Sequence, residues 1–129
     1  MKKPVWLLKP AIIAVHDMTI VRFGGADGIR DEGLLEPAIA RPISIYHYDD
    51  TTDVAVLAAA YAAGLIRNHP FVDGNKRIGF MVAYMFLDLN GATLEADEVS
   101  ATAMTLSLAA SDVEEEDYAR WLSANIRIT

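Results

Sequence analysis

Side chains suited to phosphate chemistry are concentrated in residues 69–77, whose sequence is HPFVDGNKR. His69 can accept a proton near neutral pH, and Asp73 offers a carboxylate to a hard divalent ion. Lys76 and Arg77 supply positive charge at the start of a predicted helix. The unpaired N–H groups and the dipole of a helix N-terminus attract anions, so the segment predicts a phosphate-handling site.

The charge distribution sets this segment apart from the rest of the chain. The 129 residues carry a net charge of −7, which argues against general nucleic-acid binding by a basic surface. No lysine or arginine lies between Arg77 and Arg120, so Arg67, Lys76 and Arg77 form a basic cluster in an acidic sequence. Such cations often only solvate a helix end, but the histidine and the aspartate beside them favour a functional role.

Length and composition bound the class of protein. We expect a single domain over residues 1–129, long enough to bury its own core. The absence of cysteine excludes a disulfide framework and a thiol nucleophile. The first residues are basic and then apolar, but Lys9 and Pro10 follow before the apolar region is long enough for a signal peptide. The apolar stretch at 54–66 is too short to span a membrane. A cytoplasmic protein with no membrane partner is therefore predicted.

The elements that must position the site are predicted to be helices. The third of them has almost no polar face, so it is expected at the centre of the fold with Asp53 as its N-cap. Pro37 either kinks the second helix or lies near its start. The phosphate-handling segment joins the third helix to the fourth. Apolar spacing and end signals, including a capping box from Ser111 to Glu114, place six helices at residues 11–23, 32–41, 54–67, 76–89, 97–110 and about 111–126.

One segment departs from helical spacing. In residues 41–48, Ile43, Ile45 and His47 alternate with Ser and Tyr, which favours a short strand or hairpin. An exposed strand edge could position an extended protein substrate beside the phosphate site through main-chain hydrogen bonds. An ordinary loop whose isoleucines fill the core explains the pattern equally well.

Residues 69–77 closely resemble the main motif of the Fic/Doc family, and in particular of Doc-type, or death-on-curing, toxins of toxin–antitoxin modules. A second resemblance covers residues 23–36 and 38–42, which are similar to the family's segment between its first helices. Together the two cover the chain from the first helix to about residue 89. The resemblance implies an all-α fold, a compact helical bundle with a short β-hairpin flap.

The resemblance also implies ATP- and Mg²⁺-dependent transfer of part of a nucleotide to a protein hydroxyl. Carried over by position, His69 would deprotonate that hydroxyl and Asp73 would hold Mg²⁺. Asn75 and the backbone N–H groups of Gly74 to Arg77 would form an anion hole. The remaining carried-over roles are phosphate binding by Arg77 and Arg67 and anchoring of the loop by Phe71.

Two positions depart from the nucleotide-transferring Fic pattern. That pattern reads Gly-Asn-Gly-Arg with a second arginine three residues later, whereas this chain has Lys76 and then Phe80. The Doc-type alternative places the γ-phosphate in line, which makes the enzyme a protein kinase. Lys76 would then stabilise the charge of the transferring phosphoryl group. The implied substrate is a threonine of elongation factor Tu, with arrest of translation; a Fic-type AMP transferase and a catalytically inactive binding module stay as alternatives.

The remaining predictions concern the other two histidines and the way in which the activity of the enzyme is inhibited. His16 is interpreted as structural because no metal partner is predicted near it, and the role of His47 stays undecided. Residues 111–115 have the spacing of a Ser-x-x-x-Glu inhibitory motif, but they read better as an acidic helix start. Restraint by a separate, Phd-like antitoxin is therefore expected.

Overall fold

The computed structural model describes residues 3–129, which form six helices and two short strands. None of these helices combines the length and apolar character needed to cross a membrane. The elements in chain order are α1 (Lys9–Phe23), α2 (Glu32–Asp49), α3 (Val54–Asn68), α4 (Asn75–Leu89), β1 (Ala92–Leu94), α5 (Glu98–Ala109), α6 (Glu115–Ala124) and β2 (Ile126–Ile128).

Helix α3 forms the centre of the fold, as its lack of a polar face predicted. Ala55 and residues 57–66 are all buried, and the helix packs against α2, α4 and α6. Asp53 is its N-cap, where the carboxylate accepts a hydrogen bond of 3.0 Å from the N–H of Ala55. A helix that is apolar on all sides is stable only when neighbouring helices cover it, so α3 provides a rigid base for the loop that follows it.

A close contact between α3 and α4 determines where that loop begins and ends. Gly79 of α4 lies so near α3 that an added Cβ would be 2.6 Å from Cγ1 of Ile66. Any larger side chain would force the two helices apart. The end of α3 and the start of α4 are thereby held side by side, and residues 69–74 connect them.

The predicted strand or hairpin in residues 41–48 is wrong, because these residues belong to α2. Helix α2 continues through both Pro37 and Pro42 to Asp49. Its inward-facing side chains recur every three or four residues, which is helical spacing, and the local alternation of Ile43 and Ile45 only overlaps with it. These inward-facing side chains are Leu35, Ala38, Ile39, Pro42, Ile45 and Tyr46.

The compact helical fold is confirmed, and its small β-structure lies near the chain end. Strands β1 and β2 pair antiparallel, with Ala92 opposite Ile128 and Leu94 opposite Ile126. The last helix begins after Glu114, where Glu114 and Asp117 form the capping box, rather than at the predicted Ser111. It ends at Ala124 because the following residues enter β2.

Candidate active site

The loop between α3 and α4 is paired with the segment between α1 and α2. The carbonyl oxygen of Pro70 accepts hydrogen bonds from the N–H groups of Arg30 (2.7 Å) and Asp31 (3.0 Å). The N–H of Val72 donates to the carbonyl oxygen of Gly28 at 3.0 Å. The second motif of the sequence, residues 23–36, therefore supplies the main-chain partners that immobilise the first.

Arg30 adds a side-chain contact that sequence reasoning missed. Its Nε donates to the carbonyl oxygen of His69 at 2.7 Å, and a terminal guanidinium nitrogen donates to that of Asn68 at 3.1 Å. Both carbonyls lie at the C-terminus of α3, where a cation is favoured by the helix dipole. His69 itself has a left-handed backbone with φ of 53°, so Arg30 holds the residue in a conformation that non-glycine residues adopt rarely.

Asn75 uses its side chain inside the loop. Its amide is buried: Oδ1 accepts from the N–H of Phe71 at 3.0 Å, and Nδ2 donates to the carbonyl oxygen of Phe71 at 3.0 Å. The expected anion hole is therefore left mainly to main-chain N–H groups in the first turn of α4, which have no partner within the helix. The N–H of Gly74 is already bonded to Oδ1 of Asp73 at 2.8 Å.

The same amide determines which nitrogen of His69 carries hydrogen. Nδ2 of Asn75 lies 3.0 Å from Nδ1 of His69. The N–H of Phe71 can only donate, so it fixes the amide with Oδ1 toward Phe71 and leaves Nδ2 as a donor to the imidazole. Nδ1 of His69 is thus the acceptor, and in the neutral ring the hydrogen resides on Nε2.

Phe71 anchors the loop in the core, as the sequence predicted. Its side chain is buried and stacks on the ring of His16, with ring centroids 3.8 Å apart and planes 11° apart. His16 is fully buried, and its Nε2 lies 2.7 Å from the carbonyl oxygen of Asp73. The interpretation of His16 as structural agrees with its burial. Its hydrogen bond nevertheless reaches Asp73, which is one of the predicted site residues.

The carboxylate of Asp73 is exposed and fits a magnesium ion that arrives with a nucleotide. Besides the bond to the N–H of Gly74, its Oδ2 lies 3.4 Å from the N–H of Ala26. Gly25 permits this approach, because with φ of +115° an added Cβ would lie 2.7 Å from that same oxygen. Residues 3–129 contain no group of three or more metal-binding side chains. Mg²⁺ commonly takes one or two carboxylates together with substrate phosphates and water, so a lone carboxylate matches that mode.

The three predicted cations are all available to an anion. Arg67, Lys76 and Arg77 are exposed, and none of them pairs with a carboxylate in the described part of the chain. The guanidinium of Arg77 lies over the ring of Phe23, 4.5 Å from its centroid. That cation–π contact orients Arg77 without neutralising its charge.

A cavity of about 670 Å³ adjoins the start of α4. Lys76, Arg77 and Glu98 line it together with apolar side chains that include Phe80 and Met81. Phe80 occupies the position where the Fic pattern has its second arginine, so this wall is apolar instead of cationic. His47 does not contribute to a flap, because it lies exposed in the last turn of α2 and packs edge-on against Tyr46.

A known protein family matches the part of the chain that contains this site. The model of the Fic/DOC family matches residues 6–87, which extend from before α1 nearly to the end of α4. The chain belongs to the Fic/Doc family. Helices α5 and α6 lie beyond the matched part, as the resemblance in the sequence predicted.

Two curated relatives carry the Doc name and confirm the resemblance to the Doc type. One is the protein named Toxin Doc of Mycolicibacterium smegmatis, 45% identical over 78 residues, which are 60% of each chain. The other is the protein named Protein kinase doc of Escherichia phage P1, 34% identical over 106 residues, which are 79% of this chain and 84% of that protein. The chain thus spans three fifths of the length of the mycobacterial relative.

Proposed function

We propose that this protein is a Doc-type toxin that acts as a protein kinase. It would transfer the γ-phosphate of ATP to a threonine hydroxyl of a translation factor similar to elongation factor Tu, in the cytoplasm. The observation that carries this proposal is the start of α4, where unpaired Lys76 and Arg77 accompany the free N–H groups of the first turn. The name of the phage relative supports kinase activity.

The chemistry follows from the residues of the loop. The threonine oxygen forms a bond to the γ-phosphorus as the bond from that phosphorus to the ADP oxygen breaks, and His69 takes the hydroxyl proton. Lys76 stabilises the negative charge on the phosphoryl group and on the departing ADP. Mg²⁺ bound at Asp73 would supply further neutralisation of the phosphates.

The hydrogen bond from Asn75 imposes a small cost on this role of His69. The proton acceptor of a neutral imidazole is the nitrogen without hydrogen, and that nitrogen is the one bonded to Asn75. The tautomer with a free Nε2 gives up one neutral hydrogen bond, worth about 0.5–1.5 kcal/mol, so its population falls roughly 2- to 13-fold. General acid–base catalysis contributes about 10²- to 10⁴-fold, which outweighs that cost.

The apolar wall at Phe80 favours phosphate transfer over AMP transfer. With no second arginine on α4, the residues that remain for the terminal phosphates are at the loop and the first turn of the helix. A γ-phosphate bound there lies in line with the hydroxyl that His69 activates, and the position of the nucleotide selects the product.

Labelled ATP distinguishes the two reactions. Incubation with purified elongation factor Tu and γ-labelled ATP should label the factor, whereas α-labelled ATP should not, and the mass gain should equal one phosphate. His69→Ala is the control for transfer that depends on the site. The double variant Lys76→Gly, Phe80→Arg should phosphorylate more weakly. Transfer of the α-label by the unmodified protein would overturn the kinase assignment in favour of the Fic-type reaction.

We further propose that a Phd-like antitoxin restrains the enzyme from outside. Glu115, the last residue of the inhibitory spacing in residues 111–115, forms an ion pair with Arg41 of α2 and so is engaged elsewhere. A cavity of about 560 Å³ runs along α1 and includes the exposed apolar side chains of Met18, Val21 and Phe23. Such a groove suits the apolar face of an antitoxin helix.

Co-expression tests this partner. The small open reading frame next to the gene should relieve growth arrest by the unmodified protein. Val21→Glu places a charge in the groove at a side chain that is 89% exposed, so folding should be unaffected while rescue is lost. Failure of every adjacent small gene to rescue growth would contradict the proposal.

A further inference from the structure

His16 is the one buried polar side chain that touches the loop from α1, and its ring is incompletely bonded. Its Nε2 is 2.7 Å from the carbonyl oxygen of Asp73, while its Nδ1 is buried with no hydrogen-bond partner among residues 3–129. A carbonyl oxygen only accepts, so Nε2 carries the hydrogen. The nearest acidic oxygen to Nδ1 belongs to Asp17, at 3.9 Å, too far for a hydrogen bond.

Packing alone does not explain a histidine at this position. An apolar side chain such as methionine would fill the space, would contact Phe71 and would leave no unpaired nitrogen in the core. What the histidine adds is the single bond to the carbonyl oxygen of Asp73. A buried nitrogen without a partner costs stability, and the histidine keeps that cost along with its bond to Asp73. This combination indicates that the bond has a function in the site.

That bond holds one end of the peptide group between Asp73 and Gly74. The other end of the same peptide, the N–H of Gly74, donates to Oδ1 of Asp73 at 2.8 Å. The peptide plane and the carboxylate are therefore fixed as one unit. Gly74, with φ of 77°, accepts backbone conformations of either sign, so nothing local prevents this peptide from rotating.

We propose that His16 is a positioning residue that fixes the Asp73–Gly74 peptide and, through it, directs the Asp73 carboxylate toward the metal–nucleotide complex. This inference rests on the proposed function, since it assigns Asp73 its metal. His16 does not touch the reacting atoms. Its loss should release the peptide, free the carboxylate to turn and weaken binding of the metal rather than the fold.

A set of three variants separates this role from a structural one. In His16→Phe an aromatic ring stays against Phe71 and the bond is lost, although the larger ring must move slightly away from the carbonyl oxygen of Asp73, so the melting temperature should stay within about 4 °C of that of the unmodified protein. The affinity for Mg-ATP, measured by calorimetry, should fall at least about tenfold, as should kcat for transfer. His16→Gln restores a donor and should recover part of both. His16→Met fills the space with a flexible side chain and no donor. An equal loss of affinity in His16→Met shows that the effect comes from the lost bond and not from the larger ring of His16→Phe.

Amide hydrogen exchange at Gly74 provides a measurement that does not depend on activity. Exchange should quicken about fivefold or more in His16→Phe and less in His16→Gln, because the N–H of Gly74 loses its fixed acceptor. If the unmodified protein transfers no phosphate, the proposed function fails while this measurement still decides the role of His16. Unchanged exchange at Gly74 together with unchanged Mg-ATP affinity in a folded donor-less variant would overturn the proposal.

Discussion

Replacing Asn75 with alanine should remove the internal support of the loop at a measurable cost in stability. The side chain is 3% exposed and binds both the N–H and the carbonyl oxygen of Phe71, a residue that is 1% exposed. Asn75→Ala leaves both main-chain groups without a partner, at about 1–3 kcal/mol each. Water entering the space of the lost amide offsets part of this, so we expect a loss of about 2–4 kcal/mol, which a domain of ordinary stability survives.

Urea denaturation of Asn75→Ala measures this loss, and Asn68→Ala is a matched control. The amide of Asn68 is only partly buried and donates one hydrogen bond, to the carbonyl oxygen of Leu34 at 3.1 Å. Its removal should cost about 1 kcal/mol. The reasoning is refuted if Asn75→Ala loses no more stability than Asn68→Ala.

The same variant tests the tautomer assigned to His69. Without the donor amide of Asn75, Nδ1 of His69 is no longer held as an acceptor, and the hydrogen should redistribute between the two ring nitrogens. Nitrogen-15 chemical shifts of the imidazole should show Nε2–H predominating in the unmodified protein and a more even mixture in Asn75→Ala. An even mixture in both proteins would mean that the contact exerts no control over the ring.

Three further predictions concern catalysis, the metal and pH. His69→Ala should abolish transfer and toxicity while the melting temperature changes little, because the side chain is exposed; activity equal to that of the unmodified protein would exclude its role as base. Asp73→Asn should weaken Mg²⁺-dependent nucleotide binding in calorimetric titration; an unchanged Mg²⁺ requirement would place the ion elsewhere. Burial raises the pKa of Tyr118 to about 12 from 10.0, against a lowering effect of the hydrogen bond with Thr105. The folded state then keeps a proton that the unfolded state releases. The contribution of Tyr118 to the free energy of unfolding should therefore be constant below about pH 10 and fall by about 1.4 kcal/mol per pH unit between about pH 10 and pH 12. Burial raises the pKa of Tyr61 as well, so Tyr118→Phe should reduce that fall in alkaline urea titrations without abolishing it.

Much of the helical framework could be predicted because its signals are local. Asp53 caps α3, Gly24 follows the last residue of α1, and the apolar run of α3 required a central position. The failure in residues 41–48 has a tertiary cause. Ile45 packs against the core as part of a helical stripe that begins ten residues earlier, and a window of eight residues contains too little of that stripe to distinguish it from an alternating strand.

The sequence predicted which residue types form the site, but it did not predict the hydrogen bonds that hold them in place. The pattern in residues 69–77 singles out groups that can move protons and bind phosphate. It does not reveal that Asn75 is bonded to its own loop, that Arg30 holds the carbonyl oxygen of His69, or that His16 lies under Asp73. The latter two contacts join residues 39 and 57 positions apart in the chain, so no local spacing could reveal them.

The net charge of the chain argues against binding of ATP, whereas the cations at the start of α4 argue for it. An overall charge of −7 would repel ATP if all charges acted equally, but at physiological salt the Debye length is only about 8 Å. Glu115 and Glu116, in the acidic stretch that begins α6, line a separate groove together with Arg41. In that groove Glu115 forms an ion pair with Arg41, so part of the negative charge there is already neutralised. Lys76 and Arg77 line the cavity at the start of α4, where Glu98 contributes one carboxylate. The two cations and the N–H groups at the first turn of α4 outweigh the one carboxylate that lines the cavity, so the acidic composition does not argue against nucleotide binding.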